Sequence, residues 1–398
     1  MRVVITGGGT GGHVYPALAV ASELVRGQLP APIDGQESAS ASPGSGASSS
    51  PDHGAISARP SAEAAEIVYV GGYGMERQIV AQTPYRYVDV HSGALRGKSP
   101  PRMLLSIWAL GLGFLEAVLL LHRLRPAVVL ATGGFVCAPV VAAARLLRVP
   151  ALIYLPDVVP GWAIRALSRI SNAVAVTSIA SRRYLPGARV VETGYPVRPE
   201  IGCMDRAEAR RRLGLDAQAS TLLVWGGSRG AHSLNKAVGD SLHNLLGLAQ
   251  VLHISGERDW PWLEERRQNL PPAERTRYAL HKYLHEDFPA ALAAADLVVS
   301  RAGASVLGEF PAAGLPAILV PYPYAGAHQR QNAAVLAQCG AAVELDDDKL
   351  SNLVSLIASL LQDAGRLESM AASARAAARP QAARAIAGLA LSLAGRAR

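Results

Sequence analysis

The residues in this chain best placed to do chemistry sit in and beside glycine-rich turns. Gly7-Gly8-Gly9-Thr10-Gly11-Gly12-His13 follows the β-branched run Val3-Val4-Ile5 and precedes a helical stretch from Pro16 to Leu24. Glycines let a backbone turn tightly and approach a ligand closely, and the helix behind them offers unpaired N–H groups to an anion. Close packing alone is the competing explanation of such a loop. His13 sits at its lip, and imidazole as a side-chain type suits a general base; a histidine held structurally by the loop fits the sequence as well. Gly226-Gly227-Ser228-Arg229-Gly230 repeats the arrangement after Leu222-Leu223-Val224, with a Ser228 hydroxyl able to donate to a phosphate oxygen. A phosphate-type loop opening each half of the chain is more specific than either loop alone. It suggests a ligand held between the halves.

A third motif, Arg301 to Glu309, follows Leu297-Val298-Val299 and opens another helix. Its loop could present backbone groups to a base, and Glu309 could accept both hydroxyls of a ribose, although a lone glutamate is more often a solvated helix face. Further on, Gln329 and Asn332 carry both donors and acceptors, which suits neutral sugar hydroxyls. The first loop also matches the Gly-x-Gly-x-x-Gly dinucleotide fingerprint, which calls for an acid at the end of the second strand. That strand, Ile67 to Val70, ends in Gly71-Gly72, so an NAD reading is weakened but stays open. Asp346-Asp347-Asp348 lies between a strand and a helix and is read as N-capping rather than metal-binding. His281 and His285 lie in a strand-like run and are not expected to share a metal. With no D-x-D loop between strands, no metal or other cofactor is expected; glycine loops and helix dipoles are left to hold a diphosphate.

These motifs need a scaffold that puts each loop at a strand end. Short β-branched runs alternate with helical stretches along the whole chain, which means parallel sheets covered by helices on both faces. The pattern occurs twice. A boundary near Tyr195-Pro196 divides an N-terminal half, 1–197, from a C-terminal half, 198–379. Residues 28–65, rich in Ser, Ala, Gly and Pro, have too few large apolar groups to offset their ordering entropy and are read as a disordered insertion. The 398 residues carry a formal net charge of +8, which fits nucleic acid, anionic lipid or a phosphorylated substrate. The arginines are scattered and no basic stripe is interleaved with aromatics, so no nucleic-acid partner is expected. Three distant cysteines, Cys137, Cys203 and Cys339, form no C-x-x-C pair and point to a reducing compartment. No apolar leader is read before the first strand, and a cytosolic chain is expected.

Met103 to Leu121 is apolar, flanked by Arg96, Lys98 and Arg102 on one side and His122, Arg123 and Arg125 on the other. Its length approaches a membrane span, but Glu116 lies inside it and both flanks are basic. The expectation is a helix of the first half, buried over at least half of its surface. A sharper reading has one exposed apolar face dipping into a bilayer beside anionic lipid; a true transmembrane helix ranks third.

Taken in order, the motifs resemble the MurG family of glycosyltransferases, family 28. GGGTGGHVYPALAVA at Gly7 to Ala21, ATGGFVCAPV at Ala131 to Val140, TGYPVR at Thr193 to Arg198, GGSRGAHSLN at Gly226 to Asn235, and Ala295 to Pro323 with His328 to Ala333 carry the resemblance, which covers nearly all of the chain outside the insertion. The resemblance implies a GT-B fold: two doubly wound parallel-sheet domains facing a cleft, with a last helix, 380–398, folding back onto the first. It implies inverting transfer of N-acetylglucosamine from UDP-GlcNAc to the 4-hydroxyl of the MurNAc residue of lipid I, at the cytoplasmic face of a cell membrane to which the protein binds peripherally. By the same likeness Thr10, Gly11 and Gly12 approach the donor and His13 is the candidate base. Arg198 and Ser228 meet the diphosphate, Ala304 and Ser305 the uracil, Glu309 the ribose and Gln329 the sugar. Where the family has His-Glu-Gln-Asn, this chain has Tyr154-Leu155-Pro156-Asp157. Asp157 keeps an acceptor oxygen, adds a charge near the acceptor, and is a second candidate base. Related transferases with another lipid or natural-product acceptor, an NAD oxidoreductase and an inactive membrane scaffold are the competing readings. Oligomeric state is not legible.

Overall fold

The computed structural model describes residues 1–8, 11–27, 65–93, 100–227, 230–324 and 328–396, with the backbone alone at 11, 100–102 and 104. Apart from Ala65, the segment read as a disordered insertion lies outside the described residues, as do Thr10 and Ser228.

Continuous β-branched runs become strands buried on both faces, as parallel sheets require. The first sheet comprises β1 (Arg2–Thr6), β2 (Glu66–Gly71), β3 (Arg86–Asp89), β4 (Val128–Ala131), β5 (Ala151–Leu155), β6 (Ala173–Val176) and β7 (Val190–Glu192). Its helices are α1 (Gly11–Arg26), α2 (Met75–Val80), α3 (Pro100–Leu124), α4 (Cys137–Leu146) and α5 (Trp162–Leu167). After α6 (Arg206–Arg212) the second sheet comprises β8 (Thr221–Trp225), β9 (Gln250–Ile254), β10 (Tyr278–His281), β11 (Leu297–Ser300), β12 (Ala317–Leu319) and β13 (Ala342–Glu344). Its helices include α7 (His232–Asp240), α8 (Leu242–Leu248), α9 (Trp260–Gln268), α10 (Pro272–Arg275) and α11 (Phe288–Ala294). They continue with α12 (Val306–Ala313), α13 (His328–Gln338), α14 (Leu353–Leu361) and α15 (Ala364–Ala377), and α16 (Ala382–Arg396) closes the chain.

Both sheets are parallel throughout and doubly wound, as the alternation predicts. The strand orders are β3-β2-β1-β4-β5-β6-β7 and β10-β9-β8-β11-β12-β13. In each sheet the winding reverses beside the first strand: between β1 and β4, where Thr6 pairs with Ala131, and between β8 and β11, where Trp225 pairs with Ser300. Adjacent loops diverge at such a point and leave a crevice at the carboxyl ends of the strands. The two N-terminal glycine motifs follow β1 and β4; Gly226–Gly230 and Arg301–Ser305 follow β8 and β11. Four sequence motifs thus flank the two crevices.

Four buried clusters cover the two faces of each sheet. α16 belongs to the first sheet in space: Ile386, Ala387 and Ala390 pack with Val14, Ala17 and Ala21 of α1. Its alanines permit that close approach.

Three expectations need correction. Gly11 and Gly12 are already the first residues of α1, so the helix starts five positions before Pro16. α3 is far less buried than its composition suggests: only 22% of its apolar window, Leu105–Leu124, is buried, although the helix is long and apolar enough to cross a membrane. One narrow stripe is buried, with Ala117 and Leu121 against the sheet and α4 and Ser106 and Gly113 against residues 90–93 after β3, while Leu105, Trp108, Leu115 and Leu119 face outward. Glu116 is tolerated on this helix because its carboxylate accepts the His91 N–H at 2.9 Å and pairs with His91 Nδ1 at 2.7 Å. Finally, the Asp346–Asp348 run does not cap a helix through its first residue. Nearby cations compete successfully for its oxygens: Arg330 and Lys349 reach Asp346 at 2.7 and 3.0 Å, and Arg301 reaches Asp347 at 2.6 Å.

Candidate active site between the two sheets

In the first half, the loop after β4 seats the imidazole of His13. Gly133 has φ +120°, and a Cβ there would lie 2.7 Å from His13 Cδ2, so only glycine lets the two loops approach. The Thr132 hydroxyl donates to the His13 carbonyl at 2.9 Å. His13 Nδ1 lies 3.1 Å from the Gly8 carbonyl. A carbonyl only accepts, so Nδ1 carries the hydrogen and the basic lone pair falls on Nε2. Beneath the loop, Cys137 bonds Thr6 and Gly133, and burial pushes its thiol up to about 12, which makes it structural rather than reactive.

Sequence reasoning missed one acid here. The second strand does end in glycines, but Glu76 in the first turn of α2 swings back, and its Oε1 accepts the Gly72 N–H at 3.1 Å. It is buried against Gly8. A Gly-Gly followed four residues later by an acid at a helix start was the available signal.

In the second half, α12 begins against the crossing between the sheets, with Gly308 in contact with Tyr195. Ala304 packs against the core of the first half, and Ser305 precedes the first residue of α12. Glu309 is one turn on. Burial raises its carboxyl to about 7, against the opposing pull of the Ser305 hydrogen bond and the Arg198 charge. Glu309 Oε2 is shielded from solvent and has no hydrogen-bond partner among the described residues, so it is an acceptor waiting for donors. Arg198 donates to the His285 carbonyl at 2.9 Å and lies 5.4 Å from the Phe288 ring centre, which anchors it to the loop between β10 and α11. Gln329 Oε1 accepts the Tyr322 N–H at 2.9 Å, leaving the NH2 as the group able to donate to a ligand.

The halves meet through α13. Asn332 is fully buried; its Oδ1 accepts the Val158 N–H at 2.9 Å, and its Nδ2 donates to Asp157 Oδ1 at 2.9 Å and to the Ala302 carbonyl at 3.0 Å. His328 Nδ1 donates to the Val159 carbonyl at 2.9 Å. Asn332 is thus not free to bind a sugar, as its residue type suggests; its polar atoms are consumed in joining the halves. Asp157 is therefore tied into this junction, and Val158 inserts into the core of the second half. Among the described residues no three His, Cys, Asp or Glu side chains gather as metal ligands would.

Two doubly wound sheets, each opening its crevice with a glycine loop and joined at the strand ends, define a protein of the GT-B class. Residues 3–29 and 62–176 match the glycosyltransferase family 28 N-terminal domain, and residues 221–386 match the family 28 C-terminal domain. The chain belongs to glycosyltransferase family 28. A UDP-N-acetylglucosamine–N-acetylmuramyl-(pentapeptide) pyrophosphoryl-undecaprenol N-acetylglucosamine transferase of Roseiflexus sp. is 40% identical over 97% of this chain and 94% of its own length. A protein of the same name from Desulforudis audaxviator is 36% identical over 96% and 95%. Among solved structures, MurG of Acinetobacter baumannii superposes with a TM-score of 0.70 at 24% identity, covering 98% of this chain and 99% of that one. UDP-GlcNAc 2-epimerase of Neisseria meningitidis, bound to UDP-GlcNAc, gives 0.64 at 12% identity, with 98% and 100% covered. These two structures share the fold.

Proposed function

We propose that this chain transfers N-acetylglucosamine from UDP-GlcNAc to the 4-hydroxyl of MurNAc in undecaprenyl-pyrophosphoryl-MurNAc-pentapeptide, lipid I, giving lipid II with inversion at the anomeric carbon. The acceptor oxygen attacks that carbon while the bond to the β-phosphate breaks, its electron pair leaves with UDP, and the hydroxyl proton passes to His13 Nε2. The observation that carries this reading is the seating of His13 by Gly8 and Gly133 at one switch point, with a shielded Glu309 oxygen that has no partner among the described residues beside the second. The named relatives supply the substrate pair.

Glu309 takes the ribose diol, the loop from Ala304 to Ser305 the uracil and Gln329 the sugar. Arg198, Ser228 and the N-terminal N–H groups of α7 balance the diphosphate without a metal. Thr10, Gly11 and Gly12 close over the donor from the first half. Asp157 serves by joining the halves, its Oδ1 being already spent on Asn332. The outward face of α3 rests on an anionic membrane surface, where the lipid acceptor lies.

Purified protein, UDP-[14C]GlcNAc and lipid I in detergent should give labelled lipid II, unchanged by a chelator. Transfer only to a different lipid would move the assignment to another acceptor, and saturable NAD binding without UDP binding would sink it.

A further inference from the structure

We propose that Asp259 and Asp347 are positioning residues for the donor diphosphate: from opposite sides they clamp the first turn of α7, directly behind the second glycine loop. This rests on reading that loop as the diphosphate cradle.

The clamp holds two consecutive residues. Ser233 Oγ donates to Asp347 Oδ1 at 2.8 Å and accepts from Arg301 Nη2 at 2.6 Å, while Arg301 Nη1 reaches the same Asp347 oxygen at 2.6 Å. The three side chains close a triangle that joins the turn after β13, the end of β11 and the start of α7. Arg301 extends it further, donating to the Val320 and Pro321 carbonyls at 3.2 and 3.4 Å and lying 5.5 Å from the Tyr322 ring centre. The Tyr322 N–H holds Gln329. One buried guanidinium thereby ties the diphosphate loop to the segment that carries the sugar-binding amide.

His232, the preceding residue, is pulled the other way. Its Nδ1 lies 2.7 Å from Asp259 Oδ1, which also accepts from Trp262 Nε1 at 3.2 Å. Asp259 Oδ2 accepts from Asn235 Nδ2 at 2.8 Å. Burial opposes ionisation of Asp259, but the bonds from His232, Asn235 and Trp262 outweigh it and hold the carboxyl below its ordinary range. Behind Asn235 the chain continues to His253 Nε2 at 3.0 Å, and from His253 Nδ1 to the Tyr278 hydroxyl at 2.9 Å. Burial pushes His253 down to about 3, so it is neutral: Nε2 donates to Asn235 and Nδ1 accepts from Tyr278.

A buried carboxylate, Asp259, and a half-buried one, Asp347, are an expensive way to hold one helical turn, and stability alone does not call for them. What distinguishes this turn is its cap. Ala231 at the N-cap makes no side-chain bond to the helix. The turn is held by its side chains, which leaves its N-terminal N–H groups for a ligand. Donors aimed in advance at an anion spare reorganisation when it binds.

The test compares UDP with uridine, which lacks the diphosphate, by calorimetry on the full-length protein. For Asp347→Asn and Asp259→Asn, UDP affinity should fall about tenfold, the order expected for losing a charged hydrogen bond, while uridine affinity stays within about twofold. Should Asp259→Asn not fold, Ser233→Ala reads the same clamp from its other end. Equal weakening of both ligands, or unchanged UDP binding, overturns the clamp. A wild-type protein that binds no UDP overturns the underlying reading of the loop as well.

Discussion

Replacing Glu309 by Gln tests the ribose site through the pH dependence of stability. Burial lifts the carboxyl from its ordinary 4.5 to about 7. The difference, 7 minus 4.5, is 2.5 units, and at about 1.36 kcal/mol per unit it amounts to about 3 kcal/mol. The sign follows from proton counting. Between pH 4.5 and 7 the folded state binds more protons at this group than the unfolded chain, so stability declines as pH rises. The contribution is fully present below 4.5 and is lost above 7. Glutamine has the same shape and no proton to lose. Glu309→Gln should therefore match the wild type near pH 4.5 and exceed it by up to about 3 kcal/mol at pH 8. Denaturant midpoints, read in the absence of ligand at a constant m-value, measure this. A second reading follows from the ribose role. A diol that donates to the carboxylate favours its charged form, so UDP binding near pH 7 should release a proton, visible as a dependence of calorimetric enthalpy on buffer ionisation heat. Parallel pH slopes for variant and wild type, or proton release that survives in Glu309→Gln, would refute the reasoning.

Three further outcomes are expected. His13→Ala should lower kcat by roughly 10²- to 10⁴-fold, the span of general-base catalysis, with UDP affinity unchanged by titration. Gly133→Ala combines a φ of +120° with a Cβ 2.7 Å from the imidazole; it should cost about 1–3 kcal/mol of stability in thermal unfolding and, by displacing His13, reduce kcat on the order of 100-fold. On α3, Leu105 and Trp108 are 68% and 71% exposed. Changing both to Ser should weaken sedimentation with anionic vesicles at least about tenfold, given about 1.5–3 kcal/mol per buried apolar side chain, and leave the melting temperature unchanged.

Much of the scaffold was legible because its signals are local. A short apolar run such as Val128 to Ala131, bounded by turn residues, reads as a strand buried on both faces, and its repetition with helices points to parallel sheets. Glycine loops declare themselves by following such strands. What pairs with each loop was not legible, because the partners are distant in the chain. Cys137 meets Thr6 across 131 positions, Asp347 meets Ser233 across 114, and Asn332 meets Asp157 across 175. The three consecutive aspartates look alike in sequence; only the arginine and lysine brought beside them separate a bridge to Arg301 from a surface ion pair. α3 was misjudged for a related reason. Composition reports how apolar a helix is, whereas burial depends on which stripe the neighbouring sheet and helix cover.

The sequence by itself determined the class of fold, the strand-end placement of every glycine motif and the likeness to family 28, since each rests on residue type and short-range order. Tertiary structure alone decided that His13 is seated by a glycine from another loop, that Glu309 Oε2 is shielded from solvent with no hydrogen-bond partner among the described residues, and that Asn332 joins the halves rather than facing the sugar. Hydrogen bonds and desolvation act over a few ångströms in space, and which residues share those few ångströms is set by the winding of the two sheets.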